Sequence, residues 1–123
     1  MGTFEVKKSG DGFMFNLKAG NGEVIGTSEV YNRRDSLDNG IESVKKNAAE
    51  AAVEDQTVEG FEAKTCPKFE VFTDKSGKAR FRLKARNGEI ILASQGYASV
   101  QTCLAGVESV KKNAADSKVS EVA

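Results

Sequence analysis

Residues 15–50 read FNLKAGNGEVIGTSEVYNRRDSLDNGIESVKKNAAE, and residues 81–116 read FRLKARNGEIILASQGYASVQTCLAGVESVKKNAAD. At a constant offset of 66, nineteen of these thirty-six pairs are identical. The longest shared block runs from Glu42 to Ala49 and from Glu108 to Ala115. The chain is therefore an internal duplication, and its fold is read one copy at a time. Phe4-Glu5-Val6 answers Phe69-Glu70-Val71 at an offset of 65, which puts one extra residue in the first turn of the second copy.

Each copy carries two hydrophobic periods. Phe13, Phe15, Leu17 and Ala19 alternate with Met14, Asn16 and Lys18, the period of a strand with one buried face. Ala79, Phe81, Leu83 and Ala85 repeat it. Phe4 and Val6 begin an earlier strand, closed by the Gly10-Asp11-Gly12 turn. Asn21-Gly22 and Asn87-Gly88 suit tight hairpins and lead into third strands, Glu23–Glu29 and Ile90–Leu92. The period then changes. Leu37, Ile41, Val44 and Ala48 mark one face of a helix from about Arg33 to Ala48, and Cys103, Val107, Val110 and Ala114 take those places in the second copy. Ser99 is placed to cap the second helix, and Asn47 and Asn113 to cap the C-terminal ends. Gly40 and Gly106 sit mid-helix, where each costs roughly 1 kcal/mol relative to Ala. Their position beside the apolar stripe implies a close approach of the helix backbone to the sheet or to the other helix. Residues 53–58 read as a short fourth strand, and Cys66-Pro67 as a break.

One copy alone is at the lower limit for an independent core. The expected fold is thus α+β, with two tandem β-β-β-α-β repeats, residues 1–58 and 59–123, in a single domain. They form one mainly antiparallel sheet with two helices packed on one face, related by a pseudo-twofold axis. The molecule is then a monomer built as a pseudo-dimer of repeats, or a weak homo-oligomer.

The combination Asn-Gly-Glu-(Val/Ile)-Ile-x-x-Ser-(Glu/Gln)-x-Tyr, followed after eight residues by Gly-(Ile/Val)-Glu-Ser-Val-Lys-Lys-Asn, resembles the YegP-like family of small bacterial proteins and occurs once per copy. The resemblance implies two β-β-β-α-β units on one sheet, with the last short strand of each unit exchanged onto the other's side. It brings no catalytic residues. The chain departs from the plainest family pattern in its longer connection and in Gly26, where the second copy has Leu92; the sheet is expected to be emptier at Gly26.

Composition narrows the chemistry. The 123 residues hold 18 basic and 18 acidic side chains, and no histidine or tryptophan. Without histidine there is no Ser-His-Asp or Cys-His catalysis and no imidazole metal ligand. Charge neutrality argues against a dedicated nucleic-acid binder. No apolar run reaches membrane-spanning length, and the start of the chain lacks a secretory pattern, so the expectation is a cytoplasmic protein with no membrane partner. Cys66 and Cys103 are expected to be free thiols, Cys103 buried and inert, Cys66 the more reactive. No metal, cofactor or catalytic set is expected.

The remaining candidates are weighed against structural roles. Ser28, Tyr31, Ser94 and Tyr97 could line a ligand cleft repeated about the axis, although tyrosines at strand-to-helix junctions also serve to bury a ring and keep a hydroxyl wet. Lys18, Lys84, Arg80 and Arg82 could offer phosphate contacts on the outer sheet face, which offers few aromatics for stacking. Lys45-Lys46 and Lys111-Lys112 are best read as helix-end charges, with Glu42–Lys46 and Glu108–Lys112 pairs. The leading expectation is a non-enzymatic interaction or structural module with partners unspecified by the sequence. Small-ligand binding in the cleft is the alternative, and weak nucleic-acid binding the further one.

Overall fold

A computed structural model describes residues 2–122; Met1 and Ala123 lie outside the described residues. The first copy contributes β1 (Gly2–Ser9), β2 (Gly12–Lys18), β3 (Val24–Thr27), α1 (Arg34–Glu50) and β4 (Ala52–Asp55). The second contributes β5 (Lys68–Thr73), β6 (Ala79–Lys84), β7 (Ile90–Ala93), α2 (Val100–Ala115) and β8 (Ser117–Glu121). The eight strands form one sheet in the order β4-β5-β6-β7-β3-β2-β1-β8. Each three-stranded meander is antiparallel, and the two meet where Thr27 pairs with Ala93 across the pseudo-twofold axis. The last strand of each copy is exchanged: β4 pairs in parallel with β5, and β8 in parallel with β1.

The exchange follows from the helix. Each helix starts beside the second strand of its own meander, to which Tyr31 or Tyr97 is bonded, and crosses the seam to emerge beside the other copy's first strand. Contacts match this course, since α1 touches β5, β6 and β7 as well as β2, and α2 touches β1, β2 and β3 as well as β5 and β6. The core is one continuous layer between sheet and helices, containing Phe4, Phe15, Leu17, Leu37 and Val44 from one copy and Phe69, Phe81, Leu83, Cys103 and Val110 from the other. Phe4 and Phe15 meet edge to face with centroids 5.5 Å apart, and Phe69 and Phe81 do so at 5.9 Å.

A register shift separates Leu17 from Lys18, and another Leu83 from Lys84. Leu17 faces Gly26 and Lys18 faces Val24, so Ile25 has no opposite residue. The bulge lets consecutive residues, Ile25-Gly26 and Ile91-Leu92, both reach the buried layer.

Several local expectations are corrected. The fourth strand spans Ala52–Asp55, not 53–58, because the chain leaves the sheet in turns after Asp55. Asn47 and Asn113 do not end their helices. The helices run on to Glu50 and Ala115, and each buried amide Nδ2 donates back to the serine four residues earlier (2.8 Å to Ser43 O, 2.9 Å to Ser109 O). Asn47 Oδ1 also accepts from the Arg86 amide of the other copy at 3.2 Å. The helix ion pair in the first copy is Glu42 with Lys45 at 3.4 Å instead of Lys46. Lys45 and Lys111 lie over the rings of Phe4 and Phe69, each 5.9 Å from the centroid, so their stems cover the core edge. Ser99 caps α2 as expected, in a reciprocal pair with Thr102.

The empty place expected at Gly26 is filled. A Cβ there would lie 2.6 Å from Leu92 Cδ2 and 2.7 Å from Leu92 Cγ. Leu92 reaches across the axis and uses both copies' share of the space.

Candidate functional site

Tyr31 and Tyr97 are fixed by backbone before any side-chain chemistry begins. Each exchanges both amide hydrogen bonds with the second strand of its own copy, Tyr31 with Phe13 and Tyr97 with Ala79, at 2.7–3.0 Å. The tether lays each ring parallel to a core phenylalanine: Tyr31 on Phe15 at 6.3 Å and Tyr97 on Phe81 at 6.2 Å. The helix glycines make room. A Cβ on Gly40 would sit 2.8 Å from Tyr31 Cζ, and one on Gly106 would sit 2.9 Å from Tyr97 Cζ. The close approach that the mid-helix glycines imply is thus of a tyrosine ring to the helix, more than of one backbone to another. Half-burial raises both phenol pKa values, with nearby carboxylates reinforcing this at Tyr31. The phenols are ring wedges with their protons held more firmly than usual.

Ser28 and Ser94 stand where the third strand peels away from the second. The Phe15 amide donates to Ser28 Oγ at 2.9 Å, and Ser28 Oγ donates to the Glu29 carbonyl at 2.7 Å. Ser94 repeats this with Phe81 and Gln95. Each hydroxyl therefore fills a gap in the ladder with both of its functions engaged. The two serines do come together, lining a shallow hollow of about 440 Å³ on the seam with Thr27, Glu29, Ile90 and Leu92. The tyrosines are not brought to it. Tyr97 lines a different hollow of about 280 Å³ under α2, with Ile25, Ala19 and Glu23 from the first copy. Of the four residues expected to share a cleft, the two serines meet on the seam and the tyrosines stand apart from them.

The outer-face cations are placed as expected on strands but are paired. Lys18 meets Glu5 at 2.8 Å, Arg80 meets Asp74 at 2.6 Å, Arg82 meets Glu70 at 2.6 Å, and Lys84 meets Glu70 at 3.4 Å. In the second half this becomes a network that the residue-by-residue reading missed. Lys68 bridges Glu54 at 2.9 Å and Glu70 at 3.2 Å, with both carboxylates almost fully buried. Lys68, then Gln56 and the Lys64 amide, hold the Glu54 carboxyl down at about 2. Burial alone would raise the Glu70 carboxyl; hydrogen bonds from Arg82 and Lys68 overcome it and leave the group below its usual range. The signal lay in cross-strand pairing, because Lys68, Glu70, Arg82 and Lys84 share one sheet face at facing positions.

The thiols sit apart. Cys103 is buried on the α2 stripe, and that burial pushes it up to about 11. Cys66 is half-buried in the connection. Among the described residues there is no cluster of three metal-ligating side chains, and no helix is long and apolar enough to cross a membrane.

A further hollow, of about 350 Å³, lies at the open end of the helix layer beside β8. It is lined by the apolar residues Val6, Phe13 and Val122 and by Lys7, Lys8, Arg34 and Glu121. Arg34 opens α1 and is ion-paired with Asp38 one turn on, at 3.1 Å, and with Glu121 at the end of the exchanged strand.

Comparison with known proteins gives a consistent picture. The model of a family described as a domain of unknown function, DUF1508, matches the chain twice, over residues 9–55 and 74–121. The UPF0339 protein PA0329 of Pseudomonas aeruginosa is 42% identical over 119 residues, covering 96% of this chain and 94% of that protein. The UPF0339 protein YegP of Escherichia coli K12 is 41% identical over 98% of this chain and 96% of its own length. The solution NMR structure of the E. coli yegP protein superposes with a TM-score of 0.78 at 40% identity, covering 98% of this chain and 91% of that one. The UPF0339 protein SO3888 of Shewanella oneidensis superposes with a TM-score of 0.77 at 36% identity, covering 98% and 90%.

Proposed function

The chain belongs to the DUF1508 family, and we propose that it acts as a non-enzymatic interaction module whose duplicated polar residues serve the scaffold. One observation supports this reading: several polar side chains that recur in both copies direct hydrogen bonds into the scaffold. Ser28 and Ser94 complete ladders, Asn47 and Asn113 bond back along their helices, and Asn21 and Asn87 accept from the Glu23 and Glu89 amides in the hairpins. A catalytic group needs a free lone pair or proton aimed at a substrate position. The hydroxyl protons of Ser28 and Ser94 and the amide protons of Asn47 and Asn113 are held inside the scaffold. Recognition then falls to exposed residues in which the copies differ, because those take no part in the shared core. A cytoplasmic setting is part of the proposal, since it would keep Cys66 and Cys103 reduced.

The test is affinity capture from a native lysate with the whole chain as bait. The purified captured protein is then titrated back onto the chain and onto variants altered at copy-specific surface residues. Saturable rebinding that a copy-specific substitution weakens is the expected result. No saturable partner, or measurable turnover when the pure chain meets a metabolite library, would overturn the reading.

A further inference from the structure

The duplication supplies an internal control for every surface feature, because each position has a counterpart in the same scaffold. Around the hollow at the end of the helix layer, that control shows a one-sided arrangement. The counterparts of Lys8 and Arg34 are Thr73 and Val100, so two cations in the first half face none in the second. Phe13 is answered by Ala79, and Val122 by Gln56. Val6 and Val71 are alike and buried, as the shared core requires. Val100 packs against that core, whereas Arg34 stays at the surface. The fold therefore needs no charge here. It tolerates an apolar plug in one half and carries a cationic rim over an aromatic floor in the other.

The charges describe what would fit. An arginine fork matches a carboxylate in two-point geometry. Arg34 already holds two singly, Asp38 on its Nε at 3.1 Å one turn along α1 and Glu121 on a terminal nitrogen, the latter arriving on the exchanged strand from the other copy. Lys8 extends from β1 on the same sheet face as Val6 and Phe13, so a competing anion meets two cations and two carboxylates. Behind the rim, Val6, Phe13 and Val122 offer hydrocarbon, and Val122 is tied to Val6 by a 2.8 Å backbone hydrogen bond that fixes that wall. We propose that this hollow is a binding site for a small amphipathic carboxylate, whose charged head displaces Glu121 from Arg34 while its apolar body lies over Phe13, Val6 and Val122. The site goes beyond the interaction reading above and does not depend on it. Glu121 acts there as a built-in competitor that keeps affinity for simple anions low.

The experiment is a titration of the full-length isotope-labelled chain followed by amide NMR shifts. The probes are octanoate, acetate (head without tail) and 1-octanol (tail without head). Octanoate should give saturable shifts confined to Lys7, Lys8, Phe13, Arg34 and the end of β8, while the other two probes leave those signals in place at equal concentration. Glu121→Gln removes the competitor and should tighten octanoate binding about threefold, and Arg34→Ala should weaken it about tenfold, with unchanged dispersion elsewhere reporting an intact fold. Equal response to octanol would show mere apolar adhesion and overturn the proposal. So would shifts scattered over the sheet, or a Glu121→Gln variant that binds no better than the native chain.

Discussion

Gly26 and Leu92 occupy equivalent positions in the two copies yet compete for one space at the axis. Replacing Gly26 by Ala sets a methyl carbon 2.6–2.7 Å from Leu92 Cδ2 and Cγ. Cγ is the branch point of a side chain with 1% exposure, so it cannot swing aside. Overpacking of this kind costs about 1–3 kcal/mol. Leu92→Ala instead opens a cavity and costs about 2–5 kcal/mol. In the cavity background, the methyl at position 26 finds room, and it also relieves the cost of roughly 0.5–1 kcal/mol that glycine imposes within a strand. Gly26→Ala should therefore change sign: destabilising in the native chain, neutral or stabilising beside Leu92→Ala. Urea denaturation of the four proteins gives the coupling from shifts in midpoint at constant slope. We expect the double variant to exceed the additive sum by at least about 1 kcal/mol, within the range found for residues in contact. Additivity within about 0.5 kcal/mol would show that the two positions do not share space, and the account of the axis would fall.

The same logic applies to the helix glycines. Gly40→Ala ordinarily gains about 1 kcal/mol in a helix interior, but here the new methyl meets the Tyr31 ring, so the thermal midpoint should drop; a rise would refute the wedge. The acid limb should carry the signature of Glu54. Its folded carboxyl is held at about 2 against an ordinary 4.5, so its contribution is present above pH 4.5 and lost as pH falls toward 2. The stability gap between the native chain and Glu54→Gln should shrink across that interval, and a gap independent of pH would contradict the Lys68–Glu54 pairing. A thiol reagent added to the folded protein should label Cys66 first and leave Cys103, whose thiol is pushed up to about 11, until unfolding. Equal rates, followed by peptide mass spectrometry, would refute the burial of Cys103.

The architecture was legible because a duplication states its own boundaries and because two periods, two and then 3.6, alternate within each copy. Phe13-Phe15-Leu17 and Leu37-Ile41-Val44 name the layer they share. Helix ends were less legible. Asn47 carries the residue type of a C-terminal cap, but burial of its amide against Ser43 and Arg86 overrides that local preference. The candidate cleft failed to assemble for a related reason. Ser28 and Tyr31 are three residues apart in sequence, yet the chain turns between them, so the serine faces the seam while the tyrosine is held at Phe13 under the helix. The ion network around Lys68 was illegible along one strand because its partners come from three, including the exchanged β4.

Fusion of the two copies explains why the axis can be asymmetric at all. In a twofold dimer of identical repeats, position 26 would face its own kind. Glycine against glycine leaves a void, and leucine against leucine overfills the space that Leu92 alone already occupies up to Gly26. A single chain escapes this constraint by giving one copy the leucine and the other the gap. The same freedom acts at the surface, where the first half keeps Lys8 and Arg34 over Phe13 while the second keeps Thr73 and Val100 over Ala79. Some scaffold positions stay matched, as with Ser28 and Ser94, while others, Gly26 and Leu92 among them, diverge in a complementary way. The hollow beside β8 is where that divergence sets Lys8 and Arg34 next to apolar area, which is the ground of the proposed binding site.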